Sequence, residues 1–453
     1  MTASPFRIVH LGVGNFHRAH QAFYTQKANA AAGEAWRITG VSLRRPDTRD
    51  ALAPQGFRYT VEINAPDETR YETISVLDDI LVASEDPSSV VAAIADPRTA
   101  LVTLTVTEKG YHLRPSDRRL DLDDPKIAAD MTAEVPTTTI GILAEGLARR
   151  MAEGAGPLTV LSCDNLPENG AVLEAAILAF AGERRAGLGQ WIATHAAFPS
   201  SMVDRIVPAT SEELKARVRQ ATGQNDAWPV ATEDFSEWVI EDRFAGPRPL
   251  WEMAGARLVP DVRPYEMRKL RMLNGAHSAL AYAGTLAGKT FVHEAIADED
   301  LAGLARAVMT ESGETLPEEV RVASGEYAEA LIKRFSNGAL NHRLRQIAMD
   351  GSQKLPARLV APLNERVGKG LESPGLERAI ASWIAFLGRD FRDGEPVDDP
   401  LAERLKAHWS SADGFVSFAR AVLTEPAVFS DLAARRPEVA ERLAAHAEAI
   451  FAA

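Results

Sequence analysis

Short apolar runs punctuate the first half of the chain. Arg7 to Leu11 is apolar and ends at Gly12, the pattern of a buried strand. Helical spacing follows over roughly His17 to Ala32, and a second strand is expected over Trp36 to Leu43, closed by Arg44, Arg45, Pro46 and Asp47. Strand, helix and strand at this spacing make a βαβ unit and favour a parallel sheet. Ala100 to Val106 alternates and is rich in β-branched residues, and Leu158 to Cys163 is a further strand that runs into Asp164, Asn165, Leu166 and Pro167. Ala171 to Ala181 reads as a helix, and Met202 to Val207 as a later strand. From about residue 265 the pattern turns to alanine- and leucine-rich helical periodicity, as in Leu301 to Met309, Glu318 to Phe335, Leu376 to Phe386 and Phe415 to Phe451. The expected boundary lies near Val259 to Val262, which gives a Rossmann-type α/β domain over 1–260 and a mostly α-helical domain over 261–453.

Length and composition fit that division. A chain of 453 residues exceeds one ordinary core, and 46% hydrophobic with 25% charged residues is an ordinary globular balance. The formal net charge of −13 disfavours nucleic acid and anionic membrane surfaces as partners, since both select for basic patches. A single cysteine, Cys163, rules out an intrachain disulfide and reads as a small buried hydrophobe. The start has no long apolar region ahead of a cleavage site, and no apolar run reaches the roughly 18 residues that suggest a membrane span. A cytoplasmic protein, monomeric or weakly self-associating, is expected.

Gly12-Val-Gly14-Asn15-Phe16-His17 stands where the first strand hands over to the first helix. Glycines there allow a tight turn and let backbone N–H groups approach a pyrophosphate. Gly12, Gly14, Asn15 and Phe16 are therefore candidate cofactor-binding residues, although His17 occupies the place of the third glycine in the usual fingerprint. After the second strand an acidic residue would read a ribose 2′-hydroxyl and arginines a 2′-phosphate; the chain offers Asp47 and also Arg44 and Arg45. His10, His17 and His20 lack acidic or cysteine partners at ligand spacing, so no metal is expected. Trp228, Trp238 and Trp251, among acidic residues, are expected to pack the domain.

The stretch from Pro264 to Ser278 carries the most chemistry. On an α-helix, relative to Lys269, Glu266 falls near ~60°, His277 near ~80° and Asn274 near ~140°, so all four can face one cleft. A desolvated lysine can take a hydroxyl proton, an asparagine amide can donate to the reacting oxygen, and a histidine can hold a neighbouring hydroxyl. The same spacing also fits a solvated, Lys/Arg-rich helix.

These residues stand among longer motifs: HLGVGNFHRAHQAFYT (10–25), LTVTEKGY (104–111), SCDNLPENG (162–170), FPSSMVDRIVP (198–208), RFSN (334–337) and DGSQKLP (350–356). Together they resemble the long-chain mannitol dehydrogenase family of secondary-alcohol dehydrogenases over nearly the whole chain. The resemblance implies NAD-dependent, metal-free, reversible oxidation of a sugar alcohol (mannitol, sorbitol or arabinitol) to the ketose, in a cleft between the two domains. It implies Lys269 as base, Asn165 and Asn274 on the reacting oxygen, His277 on the substrate and Glu266 in proton exit. Asp204 and Lys354 would lie near the substrate, and Asp47 would select NAD. Two departures stand out: Ser200 replaces the asparagine of a usual FPN, and Gln346 stands where some members have an arginine, with Arg343 and Arg345 close by as substitutes. Those arginines also keep open a ketouronate reductase, acting on fructuronate or tagaturonate, as the alternative.

Overall fold

The computed structural model describes residues 6–338 and 341–453. The chain separates into two compact units, one ending at Arg263 and one beginning at Pro264.

The first unit is built on a six-stranded parallel sheet. Its strands are β1 (Arg7–Leu11), β2 (Arg37–Ser42), β5 (Leu77–Val82), β6 (Thr99–Leu104), β7 (Leu158–Ser162) and the short β8 (Ala196–Ala197). Their order is β5-β2-β1-β6-β7-β8. β6 and β7 are buried along their whole length, as apolar strands covered by helices on both faces should be. The chain leaves β1 toward β2 on one side and returns to β6 on the other. A crevice therefore opens at the carboxyl ends of these strands, the usual ligand position in such sheets.

Two smaller sheets were not expected: β10-β3-β4, from β3 (Tyr59–Asn64), β4 (Thr69–Ile74) and β10 (Val230–Glu233), and β12-β11-β9, from β9 (Ser201–Asp204), β11 (Glu237–Glu241) and β12 (Arg257–Val259). The run expected as a strand over 202–207 thus ends at Asp204 and pairs antiparallel with β11, outside the main sheet. The first helix is interrupted at His20, whose backbone (φ −122°, ψ −87°) separates Asn15–Ala19 from Gln21–Ala32. Trp238 and Trp251 pack 4.6 Å apart in the core of this unit, with the Trp251 indole N–H donating to Thr25 Oγ1.

Among the described residues the second unit is helical, with one isolated bridge between Phe291 and Arg343. Its centre is the helix Asn274–Leu286, buried from Gly275 to Gly284, against the helices Glu299–Gly313 and Pro374–Asp393. The periodicity over 415–451 is divided among four helices, two of which begin at Pro426 and Pro437. Proline has no N–H to continue a preceding helix but fits a first turn. No described helix is long and apolar enough to cross a membrane.

Candidate active site

The crevice of the first unit, about 650 Å³, is lined by Gly12, Val13 and Gly14, by Arg44, Arg45 and Thr48 after β2, and by Thr105 to Thr107 after β6. Gly12 has φ +96°, and a Cβ there would stand 2.1 Å from the Thr105 carbonyl oxygen, so only glycine fits. Gly40 on β2 matters through close approach, since a Cβ would meet Val13 Cγ2 at 2.9 Å.

Beneath the turn lies a histidine pair that the sequence did not disclose. His10 Nδ1 lies 2.7 Å from Thr103 Oγ1 and Nε2 lies 2.9 Å from Thr105 Oγ1, while Thr105 Oγ1 donates to the Gly12 carbonyl at 2.8 Å. The His17 ring stacks on His10 with centroids 3.4 Å apart, and neither of its nitrogens has a hydrogen-bond partner. Burial pulls His10 down to about 3 and His17 well below the ordinary histidine value. Both rings are neutral and packed under the glycine turn, and His17 is the residue that stands in place of the usual third glycine.

The charged side chains lining the crevice are Arg44, Arg45, Lys109 and Lys126, with no carboxylate among them. Thr138 is fixed by the buried Asp130, which accepts from its N–H at 2.7 Å and its hydroxyl at 2.6 Å. A cationic crevice closed by a glycine turn suits a dinucleotide pyrophosphate, with Gly12, Gly14 and these cations to hold it. The other expected cofactor residues have partners within the protein. Asn15 donates to Pro208 O and Thr210 Oγ1, both at 3.1 Å, and Phe16 stacks on His20. Asp47 heads the helix Asp47–Leu52, where Arg45 engages its carboxylate, and it does not line the crevice.

Asn165 projects from the loop after β7. Its neighbour Asp164 is buried and accepts from the Thr107 N–H at 2.7 Å and the Tyr111 hydroxyl at 2.8 Å. Asn169 ties the same loop to β9, donating to Asp164 O and Ser201 O at 2.8 Å and accepting from the Ser201 N–H. Asp204 ends β9 and is buried.

In the second unit the segment after Pro264 is not one α-helix. Arg263–Arg268 is α-helical, Lys269–Leu273 is a π-turn, and Asn274–Leu286 is α-helical again. The Asn274 N–H bonds to the Lys269 carbonyl, an i→i+5 bond that takes up one extra residue. The projection therefore changes. Asn274 stands where an i+4 residue would, roughly 40° from Lys269, and His277 roughly 20° on the other side. With Glu266 at roughly 60°, the four form a narrower stripe than uniform α-geometry gives. Arg271, Met272 and Leu273 are turned inward, and Arg271 pairs with Glu365 at 2.6 Å.

His277 is packed against Phe335 (4.4 Å between ring centroids) and His342 (5.4 Å). Burial, then the charges of His342, Arg334 and Arg358, hold it well below the usual histidine value, so it is a neutral donor and acceptor. Lys354, on the helix Gly351–Leu355, donates to the carbonyl of Met349 and lies 3.7 Å from Asp350; burial and then Arg358 lower its pKa. Arg343 is exposed and lies over the Phe291 ring, whereas Arg345 is committed to Asp390 at 2.6 Å. Arg345 is therefore not available to stand in at the position of Gln346.

The mannitol dehydrogenase Rossmann domain model matches residues 6–253, and the mannitol dehydrogenase C-terminal domain model matches residues 261–451. The chain belongs to the mannitol dehydrogenase family. It is 40% identical to a mannitol 2-dehydrogenase of Phaeosphaeria nodorum over 88% of this chain and 72% of that one. It is 38% identical to the D-mannonate oxidoreductase of Escherichia coli over 94% and 89%. Two solved structures share the fold throughout. A D-sorbitol dehydrogenase in substrate-free form has a TM-score of 0.90 at 33% identity, covering 99% of this chain and 95% of that one. The Pseudomonas fluorescens mannitol 2-dehydrogenase, in a ternary complex with NAD and D-mannitol, has a TM-score of 0.80 at 35% identity, covering 99% and 91%.

Within this mannitol dehydrogenase family member, Ser200 keeps the structural part of the position it occupies. Its hydroxyl accepts from the Gly170 N–H at 3.2 Å and its own N–H donates to Glu241. Sequence reasoning gave no role to Thr105, Asp130, Asp164, His342 or Arg358. Their contacts join residues that are far apart in the chain.

Proposed function

We propose that the chain catalyses NAD-dependent, reversible oxidation of a sugar alcohol (mannitol, sorbitol or arabinitol) at a secondary carbinol to give the ketose. Lys269 is the base, and no metal takes part. The observation that carries this reading is the stripe of Lys269, Asn274 and His277 that the π-turn brings onto one helix face. When bound, the dinucleotide supplies the acceptor for the hydride. The unprotonated Lys269 amine takes the carbinol proton as the C–H bond breaks. The amides of Asn165 and Asn274 donate to the oxygen as it becomes a carbonyl. His277, kept neutral, orients a neighbouring hydroxyl. Glu266, one helical turn before Lys269, passes the proton to water, and Asp204 and Lys354 complete the substrate contacts. The D-mannitol and NAD held together by the P. fluorescens relative support the substrate and cofactor assignments.

A second reading, reduction of a ketouronate, uses the same reacting atoms and differs at the far end of the substrate. The cations around His277 favour it. NADH formation with mannitol, sorbitol and arabinitol, in the presence of a strong chelator, tests the leading reading. Turnover that survives chelation is expected; absence of turnover with every polyol, or its loss on chelation, counts against it.

A further inference from the structure

The surroundings of His10, beneath the cofactor turn, hold its ring in one tautomer. Thr105 Oγ1 has one proton and gives it to the Gly12 carbonyl, 2.8 Å away. Toward His10 Nε2, at 2.9 Å, the same oxygen can then only accept. Gly12 O, 3.2 Å from that nitrogen, is an acceptor as well. Two acceptors therefore face Nε2, which carries the ring proton. With the ring neutral through burial, Nδ1 keeps a lone pair, and Thr103 Oγ1 donates to it at 2.7 Å. Thr103 and His10 are buried and stand outside the lining of the crevice, whereas Thr105 and Gly12 line it. A relay thus runs from inside the sheet, Thr103 to His10 to Thr105, and ends on the Gly12 carbonyl.

That carbonyl accepts from the Gly14 N–H at 2.6 Å, from Thr105 Oγ1 and from His10 Nε2. The three donors occupy its lone pairs and turn its oxygen toward His10. A carbonyl oxygen that swung into the crevice would set its partial negative charge against a phosphate, which the turn can serve only with N–H groups and cations. The Gly12–Val13 peptide needs this restraint. The Val13 N–H on its other edge bonds at 3.2 Å to a Val41 carbonyl that the Gly12 N–H also uses, which is a weaker hold. We propose that His10 is a positioning residue for the dinucleotide: with Thr103 fixing its tautomer, it keeps the Gly12 carbonyl turned away from the pyrophosphate. His10 lies below the lining of the crevice and acts through Gly12. The assignment rests on the reading that this crevice takes the dinucleotide.

The test measures NADH affinity of the full chain by fluorescence titration in wild type, Thr103→Val and Thr103→Ser. Thr103→Val removes the donor to Nδ1 at nearly constant volume, and Thr103→Ser keeps it. Thr103→Val should raise the NADH Kd by roughly 5- to 10-fold, since one hydrogen bond of the relay is lost and the ring is free to change tautomer. Thr103→Ser should return it to within about twofold of wild type. Nitrogen-15 NMR of the imidazole rings reads the tautomer directly: His10 should carry its proton on Nε2 in wild type and be mixed in Thr103→Val. A wild-type His10 protonated at Nδ1, unchanged NADH affinity in Thr103→Val, or equal losses in both Thr103 variants would overturn the assignment. Gly12→Ala separates this from the reading beneath it. If Gly12→Ala weakens NADH binding and Thr103→Val does not, the role of His10 falls alone; if neither variant alters it, the crevice does not hold the dinucleotide and both fall.

Discussion

The most constrained residue of the cofactor turn is Gly12. Its left-handed backbone and the 2.1 Å approach to the Thr105 carbonyl leave no room for a methyl group. Gly12→Ala should destabilise the protein by about 2–3 kcal/mol or more, from strain combined with a clash against backbone. Nucleotide affinity should fall with it. Thermal unfolding with and without NADH checks both; an unchanged Tm and Kd would mean that the turn relaxes freely. In the proposed reaction the two amides donate to the reacting oxygen. Asn165→Ala and Asn274→Ala should each lower kcat by ~10²-fold or more, as loss of an oxyanion donor does. A raised KM with unchanged kcat would assign them to ground-state binding instead. At this scale helical spacing marks Lys269 and Asn274 as candidates for one face, while the π-turn between them, which spacing does not announce, sets their projection. The sequence was silent where topology joins distant residues, as for His10 over Thr103 or Arg358 beside Ser278.

Among the elements, the strands announced by continuous apolar runs, β1, β2, β6 and β7, were legible because burial on both faces demands such runs. β4, with its exposed Thr69 and Arg70, carries no such signal, and β8 is only two residues long. The π-turns, Lys269–Leu273 and Pro356–Val360, were hidden for a different reason. A projection at constant angle assumes i→i−4 bonding throughout, and one wide turn shifts every residue after it. The helix that follows the first π-turn meets the second closely, since a Cβ on Gly275 would stand 3.2 Å from the Arg358 carbonyl. Gly275→Val should force them apart and misplace Asn274 and His277. It should reduce kcat/KM for polyol by roughly 10- to 100-fold, the cost of a displacement approaching 1 Å, while NADH still binds in the crevice of the first unit. Equal losses of polyol efficiency and NADH affinity would point to general unfolding.

For the whole molecule, acid should be more damaging than the acidic composition suggests. An unfolded histidine titrates near 6.5, whereas His10 in the folded chain is held at about 3 and His17 and His277 well below the ordinary value. Between those limits the unfolded chain binds more protons than the folded one, so stability is complete above about 6.5 and falls as pH drops. Each such histidine should cost about 2 kcal/mol at pH 5. Denaturant unfolding from neutral pH downward should show this loss, and His10→Asn should reduce its slope; a pH-independent midpoint would show that these rings are not buried as neutral groups. The division into a Rossmann-type unit and a helical unit was legible from the change of periodicity after about residue 260, because parallel strands and packed helices bury apolar residues at different intervals.

The proposed reaction turns on the Lys269 amine accepting the carbinol proton. Its most direct test is single-turnover NADH formation by Lys269→Ala across a range of pH, beside a titration of NADH affinity. The rate should be lower by ~10²- to 10⁴-fold, with the wild-type rise in rate with pH lost and nucleotide affinity close to wild type. A variant that forms NADH within about tenfold of the wild-type rate, with the same pH profile, would contradict it.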